Sequence, residues 1–242
     1  MPVSEDFTSI FSKDFTIDFT QCAPNGFLTY TELCNTLQLA AADHAEMGGI
    51  SFTDMQRASQ AWVVSRMRIE ITALPKWRDV VTVTTWIVSL ENSRSVRALE
   101  MYCDEKKIVG CESFWAVFNT KTRRPEQLAL PHEHFIKYGD KHPTIKHVKK
   151  IRLADMPDLR AKRTVALSDL DVVNHVNNVK YLEWCLDLVD ADVVLQQRIS
   201  SLDMNFMKEL ALGDEVEIAN ESNLFAVRKD DKPCFALEIG FE

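Results

Sequence analysis

The block at 67–86, "MRIEITALPKWRDVVTVTTW", is answered 135 residues later by "LDMNFMKELALGDEVEIANE" at 202–221. Each copy reads as a strand-like run, a short break, an aspartate (Asp79, Asp214) and then an alternating V-x-V or V-x-I run. Alternation marks a half-buried strand, because successive side chains leave opposite faces. Upstream of each copy the apolar period lengthens to that of a helix. The first helix is predicted near Thr31–Met47, where Thr29 and Glu32 have the spacing of a capping box. The second is predicted near Asn178–Asp190, with Val179, Leu182, Leu186 and Val189 as its buried stripe.

More alternating runs follow each copy. In the first half they are Val80–Ser89, Ser95–Asp104 and Ile108–Thr120, with "DEKK" at 104–107 as a turn. In the second they are Glu215–Ala219, Leu224–Arg228 and Cys234–Phe241, with "DDKP" as a turn. Each half therefore predicts a strand, a central helix and about four antiparallel strands. A lone sheet of this size leaves one face of its helix uncovered. Joining the halves edge to edge covers it. The expected class is α+β: two tandem hot-dog repeats forming one long antiparallel sheet wrapped around two helices, in preference to an unrelated α+β sandwich. The expected boundaries are 1–130 for the N-terminal repeat, 131–159 for a crossover linker and 160–242 for the C-terminal repeat.

Composition excludes several functions. Net charge is −8, which argues against a general nucleic-acid binder. No apolar run approaches the ~20 residues that span a bilayer, so no stable membrane insertion is expected. The start "MPVSEDFTSI" lacks the order of a secretion signal. The six cysteines, at 22, 34, 103, 111, 185 and 234, form no C-x-x-C pair and read as reduced thiols of a cytoplasmic protein. No metal and no cofactor is expected: there is no glycine-rich phosphate loop, and His132, His134, His142 and His147 lack regular ligand spacing and read as residues of a solvated loop. One island opposes the acidic average. Between Lys137 and Arg163 lie nine Lys or Arg against three Asp.

The chemistry concentrates in "SDLDVVNHVNNVKYLEW", Ser168 to Trp184. Taken singly, Asp169, Asp171, Asn174, Asn177 and Asn178 are helix-capping residues, whose oxygens accept from free amides. The combination says more. A helix start offers N–H groups and a positive dipole end where a carbonyl oxygen can gain negative charge. An aspartate and a histidine four residues apart, Asp171 and His175, add an acid/base or orienting pair. Laying helix 31–47 on helix 176–190 sets His175 near Tyr30 and Asp171 near Gly26, so the polar set occurs once per chain. Small alanines on the first helix leave room for an alkyl tail, and the strand "AWVVSRMRIEI" is expected to face them.

"DLDVVNHVNNVKYLEW" resembles the signature of the acyl-acyl carrier protein thioesterases, the plant fatty-acyl chain terminators and their bacterial relatives. "LQLAAADH", "WVVSRMRIEI", "PKWRDVVTVTTW", "FWAVFNTKTRRP" and "MNFMKE" follow the family's order over nearly the whole chain. The resemblance implies hydrolysis of a fatty acyl thioester on acyl carrier protein, which ends chain elongation. It implies Asp171, His175 and Glu209 as catalytic residues, with Asn174, Asn177 and Asn178 in support. Either carboxylate could activate water or attack directly. The family's asparagine two residues before the histidine is Val173 here, and the cysteine that some plant members carry after the glutamate is Leu210. An acyl pocket is expected around Leu37, Ala41, Trp62 and Met67, and docking of the acidic carrier at Lys149, Lys150 and Arg152. A monomer or homodimer is expected. An acyl-CoA thioesterase and a catalytically silent acyl-binding protein are the alternatives.

Overall fold

The computed structural model describes residues 3–153 and 158–241. The chain divides into two compact units, 1–148 and 149–242. Unit 1 contains β1 (Ile10–Thr16), α1 (Tyr30–Met47), α2 (Phe52–Arg57), β2 (Gln60–Ile71), β3 (Val80–Glu91), β4 (Arg94–Cys103) and β5 (Lys106–Asn119). Its strands pair antiparallel in the order β1-β3-β4-β5-β2. Unit 2 contains β6 (Leu159–Thr164), α3 (Asn178–Leu186), α4 (Ala191–Leu195), β7 (Ile199–Phe206), β8 (Glu215–Glu221), β9 (Leu224–Lys229) and β10 (Lys232–Phe241). Its antiparallel order, β6-β8-β9-β10-β7, is that of unit 1.

The repeated aspartate has a structural reason. Asp79 Oδ2 accepts from the Lys76 amide (2.7 Å), and Asp214 Oδ2 from the Ala211 amide (3.0 Å). Each closes the turn that carries the chain from one strand to the next. The residue before it has φ 74° at Arg78 and φ 80° at Gly213, so glycine is the less strained choice and unit 1 manages with arginine.

β1 and β6 are the strands expected ahead of each central helix, for which the sequence had given no limits, while α2 and α4 were not foreseen. The second helix also ends earlier than predicted, at Leu186, which leaves Val189 outside it. The capping box at Thr29 is half formed. Thr29 Oγ1 accepts from the Glu32 amide (3.2 Å), but the Glu32 carboxylate accepts from Gln21 and Asn35 instead of reaching back.

The core of unit 1 contains a buried cation. Arg97 donates to His44 Nδ1 (2.9 Å) and Thr85 Oγ1 (3.2 Å). Arginine has no acceptor, so Nδ1 must accept and Nε2–H donates to the Thr8 carbonyl (3.0 Å). His44 is stacked between Phe7 and Phe11. Burial, and then the Arg97 charge, lower its pKa to about 3. A histidine neutral when folded and protonated when unfolded costs stability as pH falls from its unfolded pKa of about 6.5 toward its folded one. We expect a loss of roughly 2 kcal/mol between pH 7 and pH 5 from this group. His44→Gln should flatten that part of the profile in urea melts at the two pH values. An equally steep loss in the variant would assign the acid sensitivity elsewhere.

Candidate active site

The polar stretch folds as a tight turn before α3. The Asp171 amide donates to the His175 carbonyl (2.8 Å), and the Asn174 amide to the Asp171 carbonyl (3.0 Å). Asn174 has φ 64°, a left-handed conformation that asparagine tolerates. The Asp171 carboxylate works on the backbone: Oδ1 accepts from the Val173 and His175 amides (2.9 and 3.2 Å). Asn177 then caps α3, its Oδ1 accepting from the Val179 amide (3.2 Å).

Unit 1 makes the same turn with other residues. The Ala23 amide donates to the Phe27 carbonyl and the Gly26 amide to the Ala23 carbonyl, both at 2.8 Å. The Leu28 and Thr29 amides bond the Pro75 and Gln21 carbonyls, as Val176 and Asn177 bond Leu210 and Asp169. Asp171 therefore corresponds to Ala23, Asn174 to Gly26, His175 to Phe27 and Asn177 to Thr29. The register predicted from sequence was three residues off, because Tyr30 lies inside its helix and the cap is Thr29. The conclusion drawn from it becomes firmer. This backbone forms without a carboxylate or an imidazole at those positions, so folding the turn does not require them.

The imidazole meets its partner from the next connector. β7 ends at Phe206, and Glu209 lies in the connector that follows it. The Met207 and Lys208 amides both donate to the Cys234 carbonyl (2.8 and 3.1 Å), and the Leu210 carbonyl accepts from Val176. The Tyr181 hydroxyl donates to the Lys208 carbonyl (3.5 Å), and burial pushes its pKa well up, so it remains a donor. These ties place Glu209 Oε2 3.5 Å from His175 Nε2. Their side chains are 36 % and 34 % exposed, so water reaches both.

Most backbone donors at the start of α3 are engaged within the fold. The amides of His175, Val176, Asn177, Val179 and Lys180 all donate to groups of unit 2 and so hold the turn and the first turn of α3 together. Asn178 opens α3, half-buried, one position after the cap. Sequence reading gave Asp169 only a capping role. It is 1 % exposed, and its carboxylate accepts from Arg163 Nη2 (3.1 Å) and the Ala166 amide (2.8 Å). Arg163 also lies over the Trp184 ring of α3, 4.8 Å from its centroid.

Comparison with known proteins identifies the family. The family profile of the acyl-ACP thioesterase N-terminal domain matches residues 8–133, and that of the C-terminal domain matches 154–237. The chain belongs to the acyl-ACP thioesterase family. It is similar to an acyl-ACP thioesterase of Bacteroides thetaiotaomicron, with 27 % identity, 97 % of this chain and 98 % of that one covered, and a TM-score of 0.87. The fold is also that of the 12:0-ACP thioesterase of Umbellularia californica, at a TM-score of 0.79, 22 % identity and coverage of 97 % and 98 %. Among curated plant proteins, the palmitoyl-acyl carrier protein thioesterase of Cuphea hookeriana is 29 % identical over 217 residues, 83 % of this chain and 52 % of its own length. The chain spans about half the length of the curated relatives it matches. No helix among the described residues is long and apolar enough to cross a membrane.

The remaining expected residues of this thioesterase-family chain fall as follows. Leu37 and Ala41 are buried on α1 and Met67 is buried on β2. Trp62, also on β2, is half-buried against Ile50, Met55, Ile87, Leu90, Val117, Leu128 and Phe135. The helix packed on β2 is the unforeseen α2, while α1 packs on β1, β3 and β4. Lys149, Lys150 and Arg152 are exposed and line one pocket of about 360 Å³, with Ile151, Asn223, Leu224 and Glu238. Lys149 is already neutralised by Glu238 (2.7 Å) and Asp203 (3.9 Å). Lys150 and Arg152 make no ion pair with a described residue. Much of the basic island is likewise engaged locally: Lys141 lies over Trp86, Lys162 pairs with Glu217 and Arg163 with Asp169.

Proposed function

We propose that this chain hydrolyses fatty acyl thioesters held on acyl carrier protein, at the His175–Glu209 pair of unit 2. The observation that carries the reading is that pair: a carboxylate and an imidazole, 3.5 Å apart and open to water, the imidazole on a turn whose counterpart in unit 1 has Phe27 and Ala23 in place of His175 and Asp171. Family membership and the thioesterase names of its relatives support the substrate class. Glu209 takes a proton from water as the water oxygen attacks the thioester carbon. His175 Nε2–H donates to the carbonyl oxygen as negative charge develops there. The C–S bond then breaks, and the thiolate takes the proton held by Glu209. The products are a free fatty acid and the carrier thiol. Asp171, through the His175 amide, positions the imidazole. A separation of 3.5 Å suits this role, because catalytic contacts are often long before substrate binds.

In the same reading unit 1, which lacks the polar set, holds the acyl tail around Leu37, Ala41, Trp62 and Met67. The relatives are named for dodecanoyl, palmitoyl and oleoyl chains, so length preference is set by local side chains and not by the shared fold. The acidic carrier docks at Lys150 and Arg152, and opposite charge acts mainly on encounter rate.

Free-acid release from one acyl chain presented on acyl carrier protein and on coenzyme A tests the reading. Turnover at least tenfold faster on the carrier is expected. Equal or faster turnover of the coenzyme A ester would make the chain an acyl-CoA thioesterase, and tight acyl binding without release would make it a binding protein. Replacing Lys150 and Arg152 together by Glu should lower kcat/KM on the carrier substrate about tenfold at low salt, with the loss shrinking as salt screens charge over ~8 Å. The coenzyme A ester should be unaffected. Lys149 is left alone, because reversing it would set three carboxylates together.

A further inference from the structure

Residues 142–148, read from sequence as solvated loop, are strapped onto the sheet of unit 1. The Ile145 and Lys146 amides donate to the Glu70 carboxylate (2.7 and 3.1 Å), and the Val148 amide to Glu112 Oε1 (2.8 Å). Lys107 donates to the Pro143 carbonyl. The strap crosses β5 at Gly110, where a Cβ would sit 2.0 Å from that same carbonyl oxygen, so only glycine allows the approach.

This closeness brings two histidines to one buried carboxylate. Glu112 is 3 % exposed. His147 Nδ1 is 3.1 Å from Glu112 Oε2, and His142 Nδ1 is 3.6 Å from the same oxygen. The two imidazole rings lie edge to face, with centroids 4.6 Å apart. All three donor atoms fall within 4.8 Å of one another. The second distance is too long for a hydrogen bond. Both distances bracket the spacing of about 3.3 Å between tetrahedral ligands that each lie about 2.0–2.1 Å from a shared zinc ion.

We propose that Glu112 Oε2, His142 Nδ1 and His147 Nδ1 bind a divalent transition-metal ion, with zinc the best match. Two imidazoles and one carboxylate suit zinc, cobalt or nickel, whereas calcium and magnesium take oxygen ligands. Three protein ligands leave a fourth position for water. Glu112 is held ready, because its other oxygen is fixed by the Val148 amide. Both histidines are exposed, at 37 % and 63 % for the side chains of His142 and His147, so an ion can enter from solvent. Bound metal would pin the strap to β5. The site is independent of the His175–Glu209 pair, and its test does not depend on turnover.

The experiment titrates zinc chloride into the full chain after stripping with a chelator, with cobalt(II) absorption as a second signal. One equivalent of zinc should bind and raise Tm. His142→Ala and His147→Ala should each weaken binding at least tenfold and abolish the cobalt signal, while His132→Ala leaves both intact. Exposed histidines can be replaced without unfolding the chain, and urea melts check this. No binding to the unaltered chain, or binding unchanged in both histidine variants, overturns the site.

Discussion

Replacing His175 by Ala is expected to lower kcat on an acyl carrier protein substrate by about 10²- to 10⁴-fold, the usual contribution of a placed acid/base group. Glu209→Gln should fall in the same range. Tm should barely move in either variant. The His175 ring faces Glu209, and both side chains are about a third exposed, so neither anchors the core. Thermal melts alongside steady-state rates check the expectation. A variant that keeps near-normal turnover removes its residue from the mechanism, and one that loses turnover and Tm together points to folding instead.

Asp169→Ala is expected to act in the opposite way, on stability first. The change strands the Arg163 guanidinium and the Ala166 amide around a buried gap. Breaking a fully buried pair costs 3–5 kcal/mol. Arg163 is 33 % exposed, so solvent screening reduces this to about 2–4 kcal/mol. At roughly 2–4 °C per kcal/mol for a chain of this size, Tm should fall by about 10 °C. Asp169→Asn keeps an acceptor for the Ala166 amide and should lose less. A change in Tm of under 2 °C for Asp169→Ala would show that the pair does not hold the turn.

The parts that were legible and illegible in the sequence divide on physical grounds. Strands buried on one face announce themselves: β3, β4, β5 and β8 to β10 lie within a few residues of their predicted limits, because alternation is enforced by the core. The edge strands ahead of each helix were expected but could not be placed. β1 (IFSKDFT) and β6 (LRAKRT) are largely solvent-exposed and carry charge, as strands at a sheet edge do, and this erases the apolar pattern. The same fact dissolves part of the basic island, since Arg160, Lys162 and Arg163 belong to β6. The six-residue α2 is too short to show a helical period.

At the site, residue types were legible and pairings were not. The run from Asp171 to Asn178 could be picked out because no fold requirement explains so many polar groups before an apolar helix. Which carboxylate faces the imidazole depends on a connector 34 residues later, at Glu209, and local spacing carries no information about it. Asp171, closest in sequence, bonds backbone amides instead. Likewise the spacing of His142 and His147 meant nothing until β5 supplied Glu112 between them.

The central claim is that His175 and Glu209 act as one unit on the thioester. A double-mutant cycle on kcat with the acyl carrier protein substrate measures this directly: His175→Ala, Glu209→Gln and the two combined. Groups that act together are grossly non-additive. The combined variant should therefore be no slower than the worse single variant, within about threefold. Losses that multiply would mean the two residues contribute separately, and would contradict the shared site.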